Sequence, residues 1–211
     1  IIAGTRALFI IGAPIVFQLI MIAPQSFQPG YNPLRDTVSS LVWGPHGWLQ
    51  TVNFILFGAM LMALVEELKP LTSDKIWPRF GGFLLFLVGI GFIILAVCPT
   101  QSPGGPETIQ AIIHGLTVYF IVFFFPAGCL LLAPVLRVGS LAKFIVTFTI
   151  VTGAIGLCLI LLGVFIMANE AQWFGMLERV LLLNGFLWLE IIAVYFAGEN
   201  FINKVVLART M

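Results

Sequence analysis

Six apolar runs, each about 20 residues long, alternate along this chain with short stretches rich in Pro, Gly, Ser, Thr, Asn and charge. That length carries an α-helix across about 30 Å of hydrocarbon. The runs fall at residues 7–24, 48–68, 80–98, 109–136, 143–168 and 175–197. The breaks carry turn chemistry: Gln28-Pro-Gly, Lys69-Pro, Pro99-Thr-Gln-Ser-Pro-Gly-Gly-Pro, Gly139-Ser and Asn169-Glu. Lipid offers the backbone no hydrogen-bond partners, so spanning segments must be helices rather than open strands. The pattern predicts an all-α fold, one polytopic bundle of six transmembrane helices occupying residues 1–211. No internal repeat and no soluble domain is evident. Pro14 and Pro126 lie inside runs and are expected to bend them.

The Lys and Arg residues sort by side. Arg6, Lys69, Lys75, Arg79, Arg137, Lys143, Lys204 and Arg209 fall on one side, against Arg35 and Arg179 on the other. The positive-inside rule then puts both termini in the cytoplasm and loops one, three and five outside. Arg6 before an apolar run resembles a signal peptide. No A-x-A-like site follows it, so the first run is expected to be a retained helix. The chain opens on Ile1 rather than Met, which points to a few preceding residues.

Composition agrees. Hydrophobic residues make up 60% and charged residues 9%, where soluble domains carry about 25% charged residues. Mean hydropathy is +1.10. A net charge of +1 gives no basic field for nucleic acid. Cys98, Cys129 and Cys158 sit far apart in apolar runs with no CxxC spacing, and read as buried apolar side chains. Trp43, Trp48, Trp77 and Trp173 fall near run ends, as an interfacial aromatic belt would. Phe120 and Phe123-Phe124-Phe125 read as lipid-facing or inter-helix packing. Gly81, Gly82, Gly89, Gly91, Gly153, Gly156 and Gly163 suggest close helix contacts in runs three and five.

Polar residues gather at the predicted outer side. Tyr31-Asn-Pro-Leu-Arg-Asp-Thr-Val-Ser-Ser-Leu41 brings Asn32, Arg35, Asp36, Ser39 and Ser40, with His46 following. Loop three adds Thr100 and Gln101. In run four, Gln110, His114 and Thr117 share one helical stripe. Glu178 and Arg179 open run six. Glu190 follows Arg179 by eleven residues, close to three turns and roughly 16 Å along the same face. Ionisable groups at membrane depth usually face a bundle interior or a wet cavity, so one outward polar pocket is expected.

The order Pro33-Leu-Arg-Asp-x-x-Ser-x-Leu41, Cys98-Pro-Thr-Gln101, His114, and Gly175-Met-Leu-Glu-Arg179 resembles the domain of unknown function 998 family. The resemblance covers nearly the whole chain and implies a small six-span prokaryotic membrane protein, with no settled activity. The chain departs from the family at Ser40 and Gln101, where acidic residues often stand, which weakens a mechanism needing several carboxylates.

The candidate residues admit several chemistries. Asp36, Ser39 and His114 are the types for an orienting acid, a nucleophile and a base, without the spacing of a known triad. The plainer reading pairs Asp36 with Arg35 or Arg179 and lets Ser39, or Asp36 itself, cap a short helix. His114 reads most simply as hydrogen-bonded against loop one. A metal held with Asp36, Glu178 or His46 lacks any HxxxH or HExxH spacing, and haem lacks paired histidines at matching depth. Arg35, Asp36, Ser39, His114, Glu178 and Arg179 are the candidate ligand-binding set, with Arg179 offering a fork for phosphate or carboxylate. Expected partners are membrane lipids and other membrane subunits, with no cofactor implied. Three functions stay open: lipid handling at the cell membrane (a prokaryotic inner membrane, on the resemblance), a non-catalytic accessory subunit or assembly factor, and a small proton-coupled transporter using Glu190.

Overall fold

A computed structural model describes residues 5–72, 74–168 and 172–210, with 167, 168 and 199–210 as backbone only. The fold is all-α: α1 Thr5–Gln25, α2 Gly47–Thr72, α3 Ile76–Val97, α4 Ile109–Leu132, α5 Ala142–Ala168 and α6 Phe174–Thr210. Short 3-10 helices occupy Val38–Trp43 in loop one and Ala133–Val135 after α4. All six long helices are apolar and long enough to cross a bilayer. The architecture is that of a multi-pass membrane protein.

Most predicted boundaries fall within a few residues of the helix ends. Two do not. Lys69-Pro70 does not break α2, which runs on to Thr72. A proline near a helix end sacrifices one hydrogen bond, and the last turn tolerates that. Helix α6 continues from the expected end at 197 to Thr210, because no Gly or Pro follows Gly198 to stop it. Helix α3 begins at Ile76, so Pro78 falls in its first turn, where its missing N–H costs nothing. Thr108 caps α4, its side chain accepting from the Ala111 N–H at 3.1 Å. Gly30 and Gly139 turn the chain with φ of 73° and 76°. The Asn169-Glu break and the Lys204 and Arg209 side chains lie outside the described residues.

The helices close a ring in chain order, each packed on the next and α6 returning to α1. Glycines set the tightest seams. A Cβ on Gly58 would lie 2.5 Å from the Gly89 carbonyl oxygen, and one on Gly89 would lie 2.8 Å from that of Gly58. Gly81 meets Gly128 on α4 in the same way, and Gly153 and Gly156 admit Leu130 and Pro126. Without a hydrophobic force between helices in lipid, such close backbone approach supplies the packing energy.

Phenylalanines fill the centre. Phe17 packs on Phe57 at 5.1 Å and on Phe186 at 4.9 Å, and Phe57 packs on Phe92 at 4.7 Å. The run-four cluster lies further out: Phe123 is half exposed, while Phe125 packs edge-on against the buried Trp188. Trp43, Trp48, Trp77 and Trp173 are exposed near helix ends. The cysteines are all free but not all buried. Cys129 is buried, Cys98 intermediate, and Cys158 exposed on α5, where an apolar side chain costs nothing against lipid.

Candidate functional site

Loop one is a self-braced knot. The Asn32 side-chain oxygen accepts from the Leu34 N–H at 3.0 Å, and the Asp36 carboxylate accepts from the Asn32 N–H at 2.8 Å. Arg35 grips Asp36 with two donors, Nε to Oδ1 at 2.7 Å and Nη2 to Oδ2 at 3.2 Å. That hydrogen-bonded guanidinium holds the Asp36 carboxyl below its ordinary pKa, and Asp36 in turn raises Arg35. The cap of the following 3-10 helix is neither Ser39 nor Asp36 but Thr37, whose hydroxyl accepts from the Ser40 N–H. The Asp36 carboxylate is already committed to Asn32 and Arg35. Ser39 is buried within that helix, and the Ser40 hydroxyl donates back to the Thr37 carbonyl at 2.7 Å.

The opening of α6 receives this knot almost wholly through backbone groups. A Cβ at Gly175 would lie 2.5 Å from the Asp36 carbonyl oxygen and 2.8 Å from that of Pro33, so only glycine lets loop and helix touch. One residue on, the Met176 N–H donates to the Leu34 carbonyl at 3.0 Å, using an N–H that a helix start leaves unpaired. Glu178 accepts from the Val38 N–H at 2.7 Å. Arg179 Nη1 lies within 3.0 Å of the carbonyls of Pro33, Asp36 and Gly175, while Nη2 donates to the Tyr31 hydroxyl. Tyr31 passes the connection on to the Thr37 carbonyl at 2.9 Å. Burial, outweighing the nearby Arg179, pushes its hydroxyl up, so it stays a neutral donor. Arg179 therefore meets Asp36 at its backbone carbonyl, and the carboxylate faces Arg35.

Beneath the knot lies a buried polar layer. Gln50 is 0% exposed, Asn53 1% and His114 3%. Gln50 and His114 sit three and five residues inside their helices, about 4.5 and 7.5 Å below the loop-one end. Asn53 donates to the Phe17 carbonyl at 3.2 Å, and at a longer 3.4 Å to Gln50 Oε1. His114 does not bond loop one. Its Nδ1 lies 2.7 Å from the Cys98 carbonyl. A carbonyl can only accept, so Nδ1 carries the proton. Among the described residues, His114 Nε2 and Gln50 Nε2 are buried without a partner, as are Gln25 Oε1 and Gln28 Oε1. All four belong to the loop-one end. Buried polar atoms are rarely left so, and four at one end of the bundle point to something polar that completes them.

The remaining predicted residues scatter. His46 is exposed against the Phe27 ring, and Gln110 is exposed. Thr100 receives the Trp43 indole N–H at 3.1 Å, tying loop three to loop one. Thr117 is buried, its hydroxyl donating back to the Ile113 carbonyl. Glu190 accepts from the Gln18 side chain on α1 at 2.9 Å. No three His, Cys, Asp or Glu side chains come together as a metal site among the described residues. Sequence reasoning passed over Tyr31, Gln50 and Asn53. Two amides at i and i+3 inside an apolar run were the available signal for the latter pair.

No curated protein and no solved structure matches the chain. The family model described as "Protein of unknown function (DUF998)" matches residues 10–195, which take in both loop one and the start of α6, and the chain belongs to that family.

Proposed function

We propose that this is a lipid-handling protein of a prokaryotic inner membrane, which takes the polar part of a lipid beneath loop one, on the outward side. The observation that carries the reading is the pair of unpartnered buried nitrogens, His114 Nε2 and Gln50 Nε2, under a braced lid. A neutral imidazole acceptor and an amide donor together suit hydroxyl or ester groups of a lipid head. Ser39 is buried in the 3-10 helix of that lid. Arg35 stays at the surface with Asp36, while Glu178 and Arg179 act as positioning residues that hold the lid.

The phenylalanine cluster across the bundle centre, and the engagement of Glu190 by Gln18, favour this over proton-coupled transport. The test is native mass spectrometry of the protein extracted in mild detergent. Wild type should retain a lipid adduct that His114→Leu and Gln50→Leu each reduce severalfold in protein that still extracts folded. Equal adduct on all three proteins would overturn the reading.

A further inference from the structure

At the opposite end of the bundle a groove of about 560 Å³ lies between α2 and α3. The helices touch backbone to backbone at Gly58 and Gly89, while two turns on, a Cβ at Gly82 would have room, meeting Val65 Cγ1 at 3.8 Å. Two facing stripes line the groove. Helix α2 contributes Val65, Leu68 and Lys69, and helix α3 contributes Arg79, Phe83 and Phe86. Both sets follow helical spacing, so each presents one face with its apolar residues deeper and its cations toward the helix ends.

The charges do not cancel. Lys69 is paired with Glu66, which also lines the groove, at 2.6 Å. No carboxylate pairs with Arg79 among the described residues. Lys69 and Arg79 less Glu66 leave a lining charge of +1. This is also the Lys/Arg-rich end of the molecule, with Lys75, Arg137 and Lys143, while Arg6 is paired with Glu67 at 3.0 Å. A groove with an apolar wall running into the membrane and one uncompensated guanidinium at its mouth matches a single kind of occupant. Phe83, 52% exposed, offers its ring to an acyl chain, and Arg79 offers a planar fork to a phosphodiester. The volume falls in the range of small-molecule sites.

We infer that the α2–α3 groove binds one anionic glycerophospholipid, with its phosphate on Arg79 and Lys69 and an acyl chain against Phe83 and Phe86. The site is separate from the loop-one end and does not depend on it. Native mass spectrometry of the full chain in mild detergent, titrated with phosphatidylglycerol or phosphatidylcholine, tests it. Wild type should bind one phosphatidylglycerol with about tenfold preference, because both lipids offer the phosphodiester but only phosphatidylcholine brings a quaternary ammonium against the net positive lining. Arg79→Gln should abolish that preference. Gly82→Leu, which fills the floor where a Cβ has room, should lower binding of both lipids. His114→Leu, whatever it does to lipid retained at the loop-one end, should leave the phosphatidylglycerol preference and its loss in Arg79→Gln unchanged, which separates this site from the loop-one proposal. Wild-type binding by both groove variants, or loss in Gly82→Leu with the preference intact in Arg79→Gln, would overturn the inference. Displacement of the bound lipid by inorganic phosphate alone would also overturn it, since the acyl contact would then contribute nothing.

Discussion

Glu178 accepts the Val38 backbone N–H at 2.7 Å, joining α6 to the loop-one 3-10 helix across 140 residues of chain. A carboxylate serving a backbone donor is replaceable in shape but not in chemistry. Glu178→Gln keeps an acceptor and should be mild. Glu178→Leu strands the Val38 N–H and should cost about 1–3 kcal/mol, as an unpaired buried donor does. Thermal unfolding in detergent checks the order. Equal melting temperatures for the two variants would show that the hydrogen bond contributes nothing.

Gly175 is the steric counterpart of that bond. Gly175→Ala places a methyl 2.5 Å from the Asp36 carbonyl oxygen, and backbone cannot yield as a flexible side chain would. The expected result is a displaced loop one, at a cost of about 1–3 kcal/mol. Limited proteolysis should cut near Arg35 several times faster than in wild type. Arg179→Lys should show the same phenotype, because an ammonium cannot span the carbonyls and Tyr31 as the guanidinium does.

Helix positions were legible because lipid demands unbroken apolar runs, and the breaks after α1, α3 and α4 carried their own Pro or Gly, whereas Pro70 stayed inside α2. That loop one and the start of α6 belong together was also legible, since both place charge at one end. How they meet was not. Arg179 binds carbonyls of Pro33 and Asp36, and a sequence displays side chains but not which backbone acceptors stand exposed. For the same reason His114 was read against loop one, when its partner is the Cys98 carbonyl at the end of α3. Gln50 and Asn53 escaped notice because two amides in a long apolar run look minor until their burial is known.

The Arg35–Asp36 grip predicts acid sensitivity confined to loop one. Asp36 titrates below its ordinary 3.8 in the folded protein. A depressed carboxyl lends stability that is present above its unfolded value and lost as pH falls through the folded one. Protection factors of the loop-one amides, taken against the intrinsic exchange rate at each pH, should therefore stay constant from about pH 7 to 5 and fall below about pH 4. Asp36→Asn should exchange faster at neutral pH and show a flatter profile. An unchanged profile would assign the acid response to another group.

The Gln18–Glu190 contact at 2.9 Å is a side-chain hydrogen bond joining α1 to α6 within the membrane. It closes the ring of helices where the phenylalanines supply only packing. Interhelical polar contacts in lipid are worth about 0.6 kcal/mol on average and up to about 1.7. Glu190→Gln can still accept from Gln18 and should melt within a degree or two of wild type. Gln18→Leu leaves the Glu190 carboxyl without that donor and should lower the melting temperature further. A double variant, Gln18→Leu with Glu190→Leu, removes both polar groups together. It should recover most of the loss, since an apolar pair in lipid costs less than one orphaned carboxyl. Failure of the double variant to recover would mean that Glu190 serves a partner other than Gln18.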